Sequence, residues 1–332
     1  MIKLFKYEES SIYTKLFEKG FADFWTHNSV NYDKDYLGFQ TKLPKTAQDV
    51  FMKTIGFQSV MDSGVVNGYI PLAKDSEDKM LQALYMYIAQ NESIHSLSYA
   101  YGLQQTFGNQ ADQILEELEK TPEVQDRMKV EEAVEEAYSI AVENNLPHKN
   151  NLRLQHLINT YLLEHIKFPV SFFVVFWLND KYSNPLNGFT QALKEIANDE
   201  LNLHTVANMN VIKKGIKSGE FDRYDVENLA KNRAMFIYEE EEKWVDFLLG
   251  KEDLKGLNKD LYLYFVKYQT YLALKKLGIE TEEVPKKSVV SWFDNYRDIS
   301  KAQVSQQETD GVSYQNFIVD DVSDLGELEL YI

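Results

Sequence analysis

The stretch from Asn151 to Leu178, NLRLQHLINTYLLEHIKFPVSFFVVFWL, constrains this chain more than any other. Its first turns interleave polar and apolar residues, too many polar ones for a membrane span. Its second half is apolar all round, the pattern of a helix buried at the centre of a protein. Glu164 sits at the heart of this stretch. A carboxylate in such a place needs a partner or a cation, because an uncompensated buried charge is strongly destabilising. Pro169 lacks the N–H that would bond the His165 carbonyl, so the helix is expected to bend or loosen close to Glu164.

The remainder reads the same way. Glycine and proline number only 15 and 7 among 332 residues, and they fall mostly between long segments of helical period, so the expected class is all-α. Helices are expected over Tyr13 to Trp25, from Pro44 to about Val66, and from a cap at Asp75 or Ser76 to near Gly108. Others should cover Ala111 to Asn145, Asn151 to Leu178, Pro185 to Lys214 with Gly215 closing it, Val226 to Leu249 and Lys259 to Leu277. Asn31 to Gly38 reads as loop. The acid-rich run LEELEKTPEVQDRMKVEEAVEEA reads as a solvated helix face. From about Ile299 the periodicity is lost, and Glu308 to Ile332 carries seven acids with no lysine or arginine. The expected organisation is a helical domain over 1–298 and a flexible acidic tail over 299–332. The tail's apolar end, LGELELYI, is the kind that folds on a partner.

Composition narrows the function. A net charge of −17 argues against nucleic acid or an anionic membrane as a standing partner and favours cations. The absence of cysteine excludes disulfides, thiolate ligands and a thiol nucleophile. No secretory signal is expected in MIKLFKYEESSIYTKLF, and no stretch is expected to span a bilayer, which points to a soluble cytoplasmic protein.

Metal chemistry enters at QNESIHSLSYAYGL. His95 follows Glu92 by three residues and Tyr99 follows it by seven, so on a helix all three fall within roughly 60° of one another. A carboxylate and an imidazole so placed can hold one ion, and a tyrosine one turn on can be oxidised by it. Spacing alone is weak. With 52 acids and six histidines, about two acid–histidine pairs at three or four residues arise by chance, and the chain has Asp23/His27, Glu92/His95 and Glu200/His204. Context carries more weight. Four separate helices each bring an inward acid, namely Asp62, Glu92, Glu164 and Glu200, and two of them add a histidine, His95 and His204. Two divalent cations would neutralise the four charges. The set matches a ferritin-like helical bundle with a dinuclear metal–carboxylate centre in its core, and oxygen and imidazole donors suit iron or manganese.

At this point the sequence closely resembles the radical-generating small (beta) subunit of class I ribonucleotide reductase. The resemblance spans nearly the whole chain and rests on FADFWTHN, VMDSG, NESIHSLSY, LLEHIKFPVSF, IANDELNLH and, in the tail, QQETDGVSYQNF. It implies that Asp62, Glu92, His95, Glu164, Glu200 and His204 bind two divalent metals, iron in the first place, with manganese or a mixed Mn/Fe pair using the same donor types. It implies that Tyr99 becomes a stable tyrosyl radical shielded by Phe168, Phe172 and Ile196. Trp25, Asp199 and His95 would form the inner part of an electron and proton path. Tyr314, assisted by Glu308, would relay the radical to a large catalytic (alpha) subunit on which the C-terminus docks. A homodimer is implied as well, and the need for a flavoprotein activase stays open. The chain departs from the family pattern in one respect: Glu200 and His204 are separated by three residues, LNL, where the family has two. A one-residue π-bulge would restore the geometry, so a helix irregularity is expected there. Pro169 and Asn198 are also unusual, and both fall where they could tune the metals.

The residue chemistry agrees with a division of labour. Without cysteine the chain cannot carry the thiyl radical that ribonucleotide reduction in this family needs. It also lacks the glycine-rich elements that cradle nucleotide phosphates, so substrate must bind on the partner. A ferritin-like di-metal oxygenase would share the ligands but would not need Trp25, Tyr99 and a tail tyrosine. A structural helical scaffold would carry the acids outward.

Overall fold

The computed structural model describes residues 4–281 together with Phe293. The expected boundary at 298/299, Glu308, Tyr314 and the apolar terminus lie outside the described residues. Among the described residues the chain is helical with no named strand: α1 Ile12–Ala22, α2 Asp35–Lys42, α3 Lys45–Asp75, α4 Lys79–Phe107, α5 Ala111–Glu119, α6 Pro122–Glu143, α7 Lys149–Leu162, α8 Phe168–Lys181, α9 Asn187–Asp199, α10 Thr205–Ser218, α11 Arg223–Leu248 and α12 Lys259–Lys276. Two π-helical turns, Leu163–Lys167 and Glu200–His204, join α7 to α8 and α9 to α10 without a break.

The apolar stretch singled out from the sequence is the central element. Between α3, α9 and α12, the α8 residues Phe168, Val170, Phe172, Phe173, Val174, Val175 and Phe176 are all fully buried. The continuous helix Lys149–Lys181 is 33 residues long, with an 18-residue window of mean hydropathy 1.4. By length and composition it could cross a membrane, which corrects the expectation that no stretch reaches that length. The window is wholly covered by the protein's own helices. Beside it, α3 and α4 pack along their length as a hairpin, and α7 lies against α6, α10 and α11. Together these helices surround the six candidate donors.

Several boundaries differ from expectation for identifiable reasons. The helix expected to stop near Val66 continues through Pro71 to Asp75. The lost hydrogen bond is outweighed by burial of Tyr69, Leu72 and Ala73 in the core. The cap of α4 is Asp78, whose carboxylate accepts from the Met80 and Leu81 N–H groups, rather than Asp75 or Ser76. Asp75 instead ends α3, paired with Lys149 at 2.6 Å. Pro122 divides the expected Ala111 to Asn145 helix by starting α6 at its first turn. α2 forms where a loop was expected, and its first residue, Asp35, is anchored on α9. Its carboxylate oxygens accept from the Gly188 and Phe189 N–H groups at 3.0 and 2.9 Å, capping the start of α9 from a distance. Finally, α10 runs through Gly215 and ends at Gly219, where φ is +77°. A Cβ at Gly215 would lie 2.2 Å from the Phe221 ring, so that glycine serves close packing and not termination.

Candidate metal centre

Each of the six predicted donors is fully buried. α3 supplies Asp62, α4 supplies Glu92 and His95, and the two π turns supply Glu164, Glu200 and His204. They form two groups: Asp62, Glu92 and His95 in one, and Glu92, Glu164, Glu200 and His204 in the other, each with ligand atoms within 4.8 Å of one another. Glu92 belongs to both. His95 Nδ1 lies 3.3 Å from Glu92 and 3.1 Å from Glu200, while His204 Nδ1 lies 3.0 Å from Glu92, 3.1 Å from Glu200 and 3.7 Å from Glu164. The imidazole rings stack with centroids 5.6 Å apart.

The π turns make this convergence possible. In the first, the Phe168 N–H bonds the Leu163 carbonyl five residues back; in the second, the Thr205 N–H bonds that of Glu200. The second is the irregularity that the longer Glu200–His204 spacing predicted: the extra residue is absorbed and His204 still faces Glu200. The first is the loosening expected from Pro169, displaced a few residues toward Glu164.

Electrostatics explain why the site wants cations. Both oxygens of Asp62, both of Glu92, Oε2 of Glu164 and Oε1 of Glu200 are buried without a well-aligned hydrogen bond among the described residues, the contacts of the glutamates with the imidazoles being ion pairs. Burial, aided by the Glu92 charge, pushes the Asp62 carboxyl well above its usual range. Burial disfavours a charged imidazole at His95, yet Asp199, Glu200 and Glu92 outweigh it and hold the pKa well above the ordinary value. His204 behaves alike, with Glu200 and Glu92 overcoming the same burial. Protons are thus substituting for positive charge. Two divalent ions would replace them, and the orphaned oxygens with the two Nδ1 atoms are the hard oxygen and imidazole donors such ions take.

Around the donors lie the other described residues singled out from the sequence. Asp199 Oδ2 accepts from Trp25 Nε1 at 2.8 Å and Asn91 Nδ2 at 3.1 Å, and lies 3.2 Å from His95 Nε2. Trp25 stacks on His95 at 6.0 Å between centroids. Tyr99 is buried, and burial with the Asp62 charge beside it raises its hydroxyl well above the ordinary value. Phe168, Phe172 and Ile196 are fully buried. Asn198 bonds Asn202 and Asp23.

Sequence reasoning missed three participants. Asn91 helps hold Asp199. Tyr69 donates to Glu164 Oε1 at 2.9 Å, and Asn208 Nδ2 donates to the Tyr69 oxygen at 3.0 Å. A signal existed, since Tyr69 follows Asp62 by seven residues, as Tyr99 follows Glu92. The reading of the acid-rich segment as solvated is corrected at Glu131, which is buried and pairs with Lys167 at 2.7 Å and Arg233 at 2.7 Å. Burial would raise this carboxyl, but Lys167 and Arg233 hold it below its usual range. Lys167, itself fully buried, also pairs with Glu240 at 2.9 Å, so the turn that presents Glu164 inward is tied by its far end to α6 and α11.

The fold and site define a ferritin-like helical protein whose core carboxylates and histidines could hold a dinuclear metal centre. The model of the family "Ribonucleotide reductase, small chain" matches residues 1–282, and this chain belongs to that family. It is 23% identical to ribonucleoside-diphosphate reductase 1 subunit beta of Salmonella typhimurium, over 97% of this chain and 92% of that protein. It is 24% identical to the subunit beta of Enterobacteria phage T4, over 91% and 86%. Among solved structures, the fold resembles a putative class I ribonucleotide reductase from Bacillus halodurans with a TM-score of 0.75 and 22% identity, covering 86% of this chain and 99% of that one. The dimanganese(II) NrdF of Streptococcus sanguinis gives 0.69 at 21% identity, covering 90% and 100%. An R2-like ligand-binding oxidase with a Mn/Fe cofactor gives 0.67 at 16%, covering 82% and 93%. As a small subunit the chain works with a large one.

Proposed function

We propose that this chain generates and stores a tyrosyl radical on Tyr99 and delivers its oxidising equivalent to the large subunit for reduction of ribonucleotides, ribonucleoside diphosphates by analogy with the curated relatives. Asp62, Glu92, His95, Glu164, Glu200 and His204 would hold the two metals, with iron, manganese or a mixed pair compatible with the donors. When bound, such a pair supplies the reductive activation of dioxygen. The protein's own part is placement. Glu92 is shared between the two donor groups, Asp62 lies beside the Tyr99 phenol, and the aromatic and aliphatic side chains of α8 and α9 keep water out.

The observation that favours this reading over a ferritin-like oxidase is the hydrogen-bonded chain Trp25–Asp199–His95, which links a tryptophan at the rim of the core to a metal donor. An oxidase that completes its chemistry inside the bundle has no use for it. Tyr314, with Glu308, would continue the path, and Leu325 to Ile332 would dock on the large subunit. A homodimer in the cytoplasm, with or without a flavoprotein activase, completes the proposal.

Aerobic loading of the full chain with Fe(II), followed by metal analysis and electron paramagnetic resonance, tests it. Two metals per chain and a tyrosyl signal are expected, and Tyr99→Phe should keep the metals and lose the Tyr99 signal. An unchanged signal in Tyr99→Phe would place the radical elsewhere.

A further inference from the structure

Tyr69 packs against His204 as Trp25 packs against His95. It is fully buried on α3, its ring centroid 5.9 Å from that of His204. The two oxygens of Glu164 divide their tasks: Oε2 faces His204 Nδ1 at 3.7 Å without a hydrogen bond, and Oε1 accepts the Tyr69 hydroxyl proton at 2.9 Å. One carboxylate therefore joins the metal space to a phenol. On its other flank Asn208 donates to the same phenol oxygen at 3.0 Å.

Oxidising a buried phenol requires somewhere for the proton to go, because a stranded phenol radical cation in a dry core is prohibitively costly. Tyr69 has that acceptor in hydrogen-bond contact. Tyr85, whose ring lies 5.8 Å from Tyr69, makes no hydrogen bond through its hydroxyl among the described residues, so an electron vacancy would stay on Tyr69. The Asn208 N–H would remain to bond the neutral phenoxyl oxygen.

We propose that Tyr69 is a second redox-active tyrosine of the centre, serving as an alternative electron donor on the Glu164 side. In this step the Tyr69 O–H bond breaks. The electron would go to the metal pair that the six donors would hold, once dioxygen has oxidised it, and the proton would go to Glu164 Oε1. No bond between heavier atoms forms or breaks. The inference rests on the metal centre proposed above, but not on Tyr99.

The test uses full-length Tyr99→Phe, Tyr99→Phe/Tyr69→Phe and Tyr99→Phe/Asn208→Leu chains, loaded with Fe(II), exposed to air and freeze-quenched. Metal content and electron paramagnetic resonance are read on each. Tyr99→Phe should show a transient tyrosyl signal with an exchangeable-proton coupling that disappears in D2O. Tyr69→Phe in that background should abolish the signal at unchanged metal content, and Asn208→Leu should keep the signal but weaken the coupling, leaving the part that comes from the proton held on Glu164. Two metals per chain with no tyrosyl signal in Tyr99→Phe, or a signal that survives Tyr69→Phe, would overturn the role of Tyr69 alone. Failure of the unaltered chain to take up two metals would overturn the centre itself. Should Tyr69→Phe bind less metal, the Asn208→Leu spectrum decides: a coupling unchanged there assigns the radical elsewhere.

Discussion

Trp25 and Asp199, 174 residues apart in sequence, meet through a 2.8 Å hydrogen bond from the indole N–H to the carboxylate. The same oxygen of Asp199 lies 3.2 Å from His95, so one buried acid joins an aromatic ring at the rim to the heart of the donor cluster. Trp25→Phe keeps an aromatic ring but removes the donor. It should leave two metals and the Tyr99 radical in place while cutting nucleotide reduction by about 100-fold or more. Near-normal turnover with the matching large subunit would exclude Trp25 from the path.

The π turn at Glu200–His204 makes a prediction about deletion. Asn202 lies inside it on the side away from the donors, bonded only to Asn198 among the described side chains. Removing Asn202 should let the segment close as ordinary α-helix with Glu200 and His204 still on one face. The variant should keep both metals and lie within about 2 kcal/mol of the parent in stability. Loss of one metal per chain would show that the π turn is required for ligand geometry.

Metal uptake should release protons. Without metal, the surrounding carboxylates hold His95 and His204 well above their ordinary pKa, which favours the protonated rings. Coordination through Nδ1 requires the neutral ring at that atom. Titrating Mn(II) calorimetrically at pH 7 in buffers of different ionisation enthalpy should reveal release of at least about two protons per chain. A binding enthalpy independent of the buffer would contradict this charge assignment.

His156 gives the acid side of the stability profile a defined contributor. It is buried on α7, its Nε2 is 2.8 Å from the Gly68 carbonyl, and burial pulls its pKa from 6.5 down to about 4. A folded-state pKa below the unfolded one means that the unfolded chain binds the proton more readily. Stability from this group is therefore complete above pH 6.5 and is lost as the pH falls toward 4, by at most about 3 kcal/mol. His156→Gln retains a donor for Gly68 and does not titrate. Urea midpoints of metal-loaded protein should fall less steeply between pH 6.5 and 4 in this variant than in the parent, and parallel curves would rule the contribution out.

The convergence of the six candidate donors was legible in the sequence because residue type and helical spacing are local properties. An acid in an apolar helix must face something, and Asp62, Glu92, Glu164 and Glu200 face one another. The extra residue before His204 likewise announced its π turn, since a helix that must keep two ligands on one face has few ways to absorb an insertion. Pro169 announced the neighbouring irregularity only approximately, because a missing N–H marks a weak point without fixing where the helix widens.

Other features depended on contacts between distant segments. Periodicity could not tell that Glu131 is buried, since its helix is acidic on several faces and only the approach of Lys167 and Arg233 encloses it. Nor could it carry α3 through Pro71, where core packing outweighs a broken hydrogen bond. Tyr69 shows the division best. Its seven-residue spacing from Asp62 is the spacing of Tyr99 from Glu92, yet in a chain with 21 tyrosines that spacing alone does not separate a packing ring from a reactive one. The difference lies in Glu164 and Asn208, brought from 95 and 139 residues away to within hydrogen-bond distance. The sequence by itself determined which side chains could hold metals. The tertiary structure decided which neighbours they share, because hydrogen bonds across a core are set by how helices pack and not by the order in which they are written.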